Sequence, residues 1–119
     1  MKKSLVLGAS LNEYRYSNMA IRSLVDHGEE VLALGLRNGK VVGIQIEIGF
    51  PKFLEIHTVT LYLNAKRQQQ YYNYIISLQP KRVIFNPGAE NFEFARILDN
   101  HNIYYENACT LVLLSTDQY

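Results

Sequence analysis

Leu5-Val6-Leu7-Gly8-Ala9-Ser10, near the start of the chain, gives the strongest indication of the fold class. The three leading apolar residues predict a buried strand, and Gly8 begins a turn in which the backbone can approach a ligand closely. Residues 17–27 carry apolar side chains at helical spacing, and Gly28 marks the end of that helix. A strand, a tight turn and a helix in this order leave backbone N–H groups and the positive end of a helix dipole free to bind an anion such as phosphate.

Short apolar runs alternate with longer amphipathic segments along the rest of the chain. They predict further strands over 30–34, 57–63, 82–85 and 103–105, and helices over 66–78, 93–101 and 109–114. Residues 41–48 alternate only weakly, which indicates either a short edge strand or an extended loop. Short apolar strands separated by helices are typical of a buried parallel sheet. We therefore expect one α/β domain over residues 1–119, with a doubly wound sheet and helices on both faces.

Size, composition and charge exclude several classes of protein. The chain has 119 residues, of which 48% are hydrophobic and 19% are charged, which is the balance of one globular domain. A net charge of +1 gives no basic surface of the kind that binds DNA or RNA. No apolar stretch approaches the roughly 20 residues of a membrane span, and no signal-peptide pattern is present, so we expect a cytoplasmic protein. One cysteine and three dispersed histidines argue against a disulfide and a metal site.

Ligands of a doubly wound sheet bind beyond the carboxyl ends of its strands, so the loops at that edge form the candidate site. These loops are predicted over residues 8–17, 35–40, 63–67 and 86–91. In the first loop, the Ser10 hydroxyl could bond a phosphate oxygen, and Ser17 is the predicted N-cap of the helix. The G-x-G-x-x-G fingerprint of dinucleotide sites is absent, and a turn with a single glycine also occurs where a strand is merely joined to a helix.

The end of the second strand bears on which nucleotide could bind. NAD-binding folds place a carboxylate there to hold the ribose diol, whereas this strand ends in Leu34-Gly35-Leu36-Arg37. The Arg37 guanidinium suits a phosphorylated ribose, such as that of NADP or coenzyme A. A solvated turn residue is the alternative interpretation of Arg37.

The loop Asn86-Pro87-Gly88-Ala89-Glu90-Asn91 faces the same crevice. Pro87-Gly88 predicts a sharp, stiff turn, and Asn86 and Glu90 could position a ligand there. Glu90 is explained better by a favourable interaction with the dipole of the next helix, which Asn91 would cap.

No residue is predicted to be catalytic. Cys109 has no His or Asn near it in the sequence and lies in an apolar segment, which is typical of a buried structural thiol. His57 begins a strand and is therefore expected at the edge opposite to the candidate site. His27 and His101 fall near helix C-termini, where a cation is favourable.

Several short motifs occur in order along nearly the whole chain, over residues 5–10, 16–17, 28–31, 42–44, 83–88 and 106–112. With these motifs the chain resembles the small stand-alone CoA-binding proteins, which are similar to the nucleotide-binding domain of the succinyl-CoA synthetase alpha subunit. The resemblance implies a Rossmann-like sheet of five parallel strands with a coenzyme A site over the first loop. The chain departs from the family at Gly35-Leu36-Arg37 and at Leu63-Asn64-Ala65-Lys66, after the second and third main strands.

The resemblance and the loop positions together give a set of candidate cofactor-binding residues. They are Gly8, Ala9, Ser10, Tyr16, Ser17, Arg37, Leu63, Asn64, Asn86, Pro87 and Gly88. By the resemblance, the first five would line the pyrophosphate of the cofactor. Arg37 would meet the phosphorylated adenosine end, and Leu63 and Asn64 would border the adenine.

These observations favour a non-enzymatic binding module that holds a small-molecule nucleotide, coenzyme A or an acyl-CoA. The resemblance supports this, since the short form of the family lacks the phosphohistidine domain and the ATP-grasp partner of the synthetase. Two alternatives remain open: a small NADP-linked oxidoreductase subunit, which Arg37 permits, and an interaction protein with a degenerate, empty nucleotide site that uses exposed aromatic residues such as Tyr72. The edge strands of so small a sheet need cover, so self-association into a homo-oligomer is also open.

Overall fold

The computed structural model describes all 119 residues and places seven strands in a single sheet. The strands are β1 (Lys3–Ala9), β2 (Glu30–Gly35), β3 (Gly39–Val41), β4 (Ile44–Glu47), β5 (Thr58–Leu61), β6 (Arg82–Phe85) and β7 (Tyr104–Asn107). Their order across the sheet is β3-β4-β2-β1-β5-β6-β7. All neighbouring strands are parallel except β3 and β4, which are antiparallel.

The prediction of five strands is wrong because it leaves out the hairpin of β3 and β4. Val42 and Gly43 form a two-residue loop between these strands, and both have positive φ angles, of 43° and 84°. Positive φ angles at both loop residues match the twist of the flanking strands and allow a tight hairpin. The hairpin then adds β4 to the sheet beside β2, and Ile46 of β4 is fully buried.

Five helices accompany the strands: the first four lie between strands, and the fifth follows β7. They are α1 (Tyr16–Asp26), α2 (Ala65–Gln68), α3 (Tyr72–Leu78), α4 (Phe92–Asn100) and α5 (Thr110–Ser115). The single helix predicted over 66–78 is divided, because a 3₁₀ turn at Gln69–Tyr71 separates α2 from α3. Gly28 ends α1 as predicted: with a φ of 77°, it places its own N–H on the Val25 carbonyl and the next N–H, of Glu29, on the Leu24 carbonyl.

Two hydrophobic cores lie on opposite faces of the sheet. Leu5 and Leu7 of β1 belong to a core of 15 buried residues that includes Phe94 of α4. Val6, between them, points to the other face and belongs to a core of nine residues that includes Ile21 of α1. Helices therefore cover both faces, as the short apolar strands predict, and the loops that follow β1, β2, β5 and β6 meet at the carboxyl edge of the sheet.

Candidate functional site

A cleft of about 860 Å³ lies at the carboxyl edge of the sheet, over the end of β1. All of the predicted cofactor-binding residues except Asn86 line this cleft. The lining residues that the sequence analysis did not single out are Leu11, Asn12, Arg15, Gly35, Leu36, Tyr62, Arg67, Gln70, Tyr71 and Ala89. The four loops expected at this edge from the topology are thus brought together, and the first loop leaves the crevice between them open.

Two glycines allow the backbone to form the floor of the cleft. Gly8 has a φ of 96°, and a Cβ atom at this position would lie 3.2 Å from the Leu63 side chain. The ladder between β1 and β2 shifts register around Gly8, so that Ala9 pairs with Gly35. A side chain at either glycine would enter space that the neighbouring strand ends already occupy, which explains why the floor is built from backbone.

The first loop offers unused hydrogen-bond donors to the cleft. The backbone N–H groups of Ser10 and Leu11 make no hydrogen bond within the chain. The Ser10 hydroxyl oxygen accepts a bond from the N–H of Asn12 (3.1 Å), which leaves the hydroxyl proton free to be donated to a ligand. The Ser10 carbonyl accepts a bond from the Asn18 side chain at 2.9 Å and thereby ties the loop to α1.

The start of α1 lies at the same place and has no side-chain cap. Arg15 is the N-cap residue, and its carbonyl accepts the N–H groups of Asn18 and Met19. The prediction of Ser17 as N-cap is wrong, because the N-cap is Arg15, two residues earlier, and Ser17 is buried inside the first turn of the helix. Tyr16 and Ser17 line the cleft, so the positive end of the helix dipole faces the cleft.

The charged residues that line the cleft are all arginines: Arg15, Arg37 and Arg67. All three are exposed, and none of them takes part in a salt bridge or a side-chain hydrogen bond within the chain. No Asp or Glu lines the cleft. Unpaired guanidinium groups around free backbone N–H groups make a positive cleft that suits a ligand with several phosphates.

Arg15 and Arg67 are functional candidates that the sequence analysis missed. Arg15 stands immediately before α1, and Arg67 stands in the first turn of α2, where its N–H is capped by the Asn64 side chain at 2.9 Å. Their position in the sequence is the signal for both: each arginine lies at the start of the helix that follows a strand ending at the carboxyl edge.

Asn86 does not line the cleft, because its side chain is used inside the fold. Its Nδ2 atom donates to the Thr60 hydroxyl at 2.7 Å and to the Leu61 carbonyl at 2.9 Å. Its Oδ1 atom accepts the N–H of Thr110 at 2.9 Å, at the start of α5. The amide therefore joins the end of β5 to α5 and has no donor left for a ligand.

The other residues considered for this edge have plain structural roles. Asn91 caps α4 as predicted, since its Oδ1 atom accepts the N–H of Phe94 at 3.1 Å. The Glu90 carboxylate accepts the N–H of Gly88 at 2.9 Å. Burial raises the pKa of Tyr62 to about 12, and the nearby Thr110 and Thr60 hydroxyls offset part of that rise. The Tyr62 hydroxyl is itself buried and makes no hydrogen bond within the chain.

The His, Cys, Asp and Glu side chains form no group of three or more that could hold a metal ion. None of the helices has the length and apolar character needed to cross a membrane.

Comparisons with known proteins identify what the chain is similar to. A family model described as a CoA binding domain matches residues 2–115. A solved structure described as an uncharacterized protein is 45% identical, with a TM-score of 0.97 over 100% of this chain and 98% of that one. A hypothetical protein from Pyrococcus horikoshii OT3 is 24% identical, with a TM-score of 0.85 over 97% of this chain and 82% of that one. The protein called cell-free ID.343 from Thermus thermophilus is 19% identical, with a TM-score of 0.86 over 99% and 90%. The last two show the fold alone, and a comparison with curated proteins finds no match.

Proposed function

The chain belongs to the CoA-binding domain family, and from this membership we propose that it binds coenzyme A or an acyl-CoA in the cleft at the carboxyl edge, without converting it. One observation carries the proposal: Arg15, Arg37 and Arg67 surround the cleft with no carboxylate among the lining residues. Coenzyme A carries a diphosphate and a 3′-phosphate, and this set of donors matches those charges.

The diphosphate is best placed over the first loop. The N–H groups of Ser10 and Leu11 and the uncapped start of α1 present donors to one small region of the cleft. Such an arrangement binds phosphate oxygens through backbone groups and the helix dipole together. Arg15, at the N-cap position, adds a full positive charge beside them.

The 3′-phosphate is assigned to Arg37, at the end of β2. Leu36 and Arg37 line the cleft where NAD-binding folds would carry a carboxylate for the ribose diol. A guanidinium at this position favours a phosphorylated ribose and leaves an unmodified ribose diol without its acceptor. Leu63 and Asn64, on the other side of the first loop, are assigned to the adenine.

The side chains that line the cleft support binding of the ligand without its chemical conversion. The lining residues include no His, Cys, Asp or Glu, so the cleft offers no general base in the neutral range and no activated nucleophile. The Tyr62 hydroxyl, with its pKa near 12, stays protonated at neutral pH. The positive cleft is therefore proposed to hold its ligand rather than to react with it.

Isothermal titration calorimetry with coenzyme A, acetyl-CoA, dephospho-CoA, NADP and NAD tests the proposal. We expect coenzyme A and acetyl-CoA to bind most tightly, dephospho-CoA more weakly and NAD not at all. In a thermal-shift assay, a ligand at 100 times its dissociation constant should stabilise the protein by about 2.7 kcal/mol. Tighter binding of NADP than of coenzyme A would favour the oxidoreductase-subunit alternative, which Arg37 also permits. Binding of none of the five would contradict the proposal and favour an interaction protein with an empty site.

A further inference from the structure

Gln68, the last residue of α2, is a polar side chain with no exposed surface. Its Nε2 atom donates to the carbonyl of Leu63 at 2.8 Å and to the carbonyl of Ala89 at 2.7 Å. Its Oε1 atom accepts a bond from Nδ2 of Asn91 at 2.9 Å. Both donor hydrogens and the acceptor oxygen are therefore engaged, which is the condition under which a buried amide holds its surroundings in one arrangement.

The two carbonyls that Gln68 bonds belong to opposite walls of the cleft. Leu63 follows β5 and Ala89 follows β6, and both residues line the cleft. Strand pairing between β5 and β6 ends at Leu61 and Phe85, so no backbone ladder holds the two walls together beyond that point. Beyond that point, the hydrogen bonds of the Gln68 side chain join the two walls.

Asn91, the hydrogen-bond partner of Gln68, is itself held by contacts with α3 and α4. Asn91 donates to the Tyr72 hydroxyl at 2.8 Å and caps α4 through the N–H of Phe94. The Tyr72 ring, which was expected at the surface, is half-buried and stacks on the Phe94 ring with a centroid separation of 4.4 Å. The position of Gln68 is thus set by α3 and α4 as well as by its own helix.

Gln68 is also the neighbour of a cation that lines the cleft. Arg67 precedes it in the same helical turn and lines the cleft, while Gln68 points into the protein. We propose that Gln68 is the positioning residue of the cleft: it sets the gap between the Leu63 and Ala89 walls and fixes the backbone from which Arg67 reaches the ligand. For coenzyme A as the ligand, this inference rests on the proposed function. An apolar side chain would fill the same space without desolvating an amide, so the burial of Gln68 is explained by geometry rather than by packing.

The variant Gln68→Met keeps the length of the side chain and removes its hydrogen bonds. Amide hydrogen exchange of the ligand-free protein should speed up in residues 62–68 and 87–91 and stay unchanged at the amino edge of the sheet. The dissociation constant for coenzyme A should rise about tenfold or more, because the walls must now be ordered on binding. The affinity for inorganic pyrophosphate, which probes the first loop alone, should change by less than about twofold, since Gln68 does not touch that loop.

Thr58→Val is the matched control for lost stability. Thr58 is fully buried at the amino edge, and its hydroxyl accepts a bond from Nε of Arg82 at 3.1 Å. This variant should destabilise the protein and leave both affinities unchanged. If Gln68→Met does not fold, Tyr72→Phe removes one partner of Asn91, keeps the ring stack and should give a smaller exchange increase in the same two segments.

Unchanged exchange in the two segments, or an equal loss of affinity for coenzyme A and pyrophosphate, would overturn the positioning role. The role would also be overturned if Thr58→Val weakened coenzyme A as much as Gln68→Met does. If the wild-type protein binds no coenzyme A, the proposed function fails, and the exchange experiment alone then decides the role of Gln68.

Discussion

Gly35 lies so close to Ala9 that a Cβ atom on Gly35 would stand 2.4 Å from the Ala9 carbonyl oxygen. This contact joins the ends of β1 and β2 at the floor of the cleft. We expect Gly35→Ala to push the two strand ends apart and to lower the free energy of unfolding by about 1–3 kcal/mol, the usual cost of overpacking. The affinity for coenzyme A should fall about tenfold or more, because the first loop moves with Ala9. Urea denaturation and calorimetry measure the two effects.

Gly43→Ala is the control for this glycine series. Gly43 lies in the β3–β4 hairpin with open space around it, and its φ of 84° makes an alanine strained there. The variant should lose about 1–2 kcal/mol of stability from that backbone strain and keep its affinity for coenzyme A. Equal loss of affinity in the two variants would show that stability alone governs binding and would remove the role given to the Gly35–Ala9 contact.

Arg37→Ala tests the assignment of the 3′-phosphate. Loss of a charge-assisted hydrogen bond costs about 1.5–3 kcal/mol, so coenzyme A should bind about 10- to 100-fold more weakly. Dephospho-CoA lacks the 3′-phosphate and makes no contact with Arg37 through it, so the affinity for dephospho-CoA should fall by less than about threefold. Arg96→Ala removes the same charge from an exposed position of α4 outside the cleft and should change neither affinity. Equal weakening of both ligands by Arg37→Ala would place the guanidinium elsewhere on the cofactor.

Arg15→Ala is expected to give a different pattern from Arg37→Ala. Arg15 stands at the uncapped start of α1, where the diphosphate is proposed to lie. Both coenzyme A and dephospho-CoA carry the diphosphate, so both should weaken by a similar factor of about ten. Titrations at two salt concentrations should also show a weaker salt dependence in the variant, because one exposed charge pair is lost. Selective loss of coenzyme A alone would contradict the assignment.

The sequence was sufficient for the parallel part of the fold and for most of the cleft. The Leu5-Val6-Leu7 run sends alternate side chains to two faces, and both faces have a helical cover, as such runs require. Once the strands are placed, the loops at their carboxyl ends must meet, so the sequence is enough to predict that Gly8 and Arg37 line the cleft.

The features that the sequence did not predict depend on backbone conformations and on the placement of helices, which no local sequence pattern indicates. Val42 is a β-branched residue with a φ of 43°, a conformation that such residues rarely adopt, so its hairpin could not be foreseen. Residue type alone does not distinguish Arg67 from other surface cations, and only the position of α2 shows that it lines the cleft. Ser17 is a good N-cap residue by type, but α1 is capped two residues earlier, by Arg15, and Ser17 is buried in the first turn.

The His57 imidazole should make stability depend on pH. Burial lowers the pKa of His57, the nearby cations of Arg82, Lys2 and Lys81 lower it further, and Glu29 opposes the shift. The unfolded chain, with a His pKa of about 6.5, therefore binds more protons than the folded chain between the two values. This contribution to stability is fully present above pH 6.5 and is lost as the pH falls through the folded pKa.

His57→Asn should flatten this part of the pH dependence. Urea denaturation at a series of pH values between about 5 and 7.5 should show a smaller loss of stability on acidification in the variant than in the wild type. His57 lies at the amino edge of the sheet, so the affinity for coenzyme A at neutral pH should stay the same. An identical slope in the two proteins would mean that another group carries the pH dependence.

Asn86 is the one predicted site residue that does not line the cleft. The variant Asn86→Ala tests whether this residue stabilises the fold or contacts the ligand. The substitution leaves the Thr110 N–H and the Leu61 carbonyl without the side-chain partners they have now. Because both lie in buried surroundings, the free energy of unfolding should fall by roughly 2–4 kcal/mol, as measured by urea denaturation. At a temperature where the variant is still folded, its affinity for coenzyme A should stay within about threefold of the wild type, since no donor of Asn86 is free to reach the cofactor. A loss of affinity as large as that of Arg37→Ala, without loss of stability, would instead return Asn86 to the binding site.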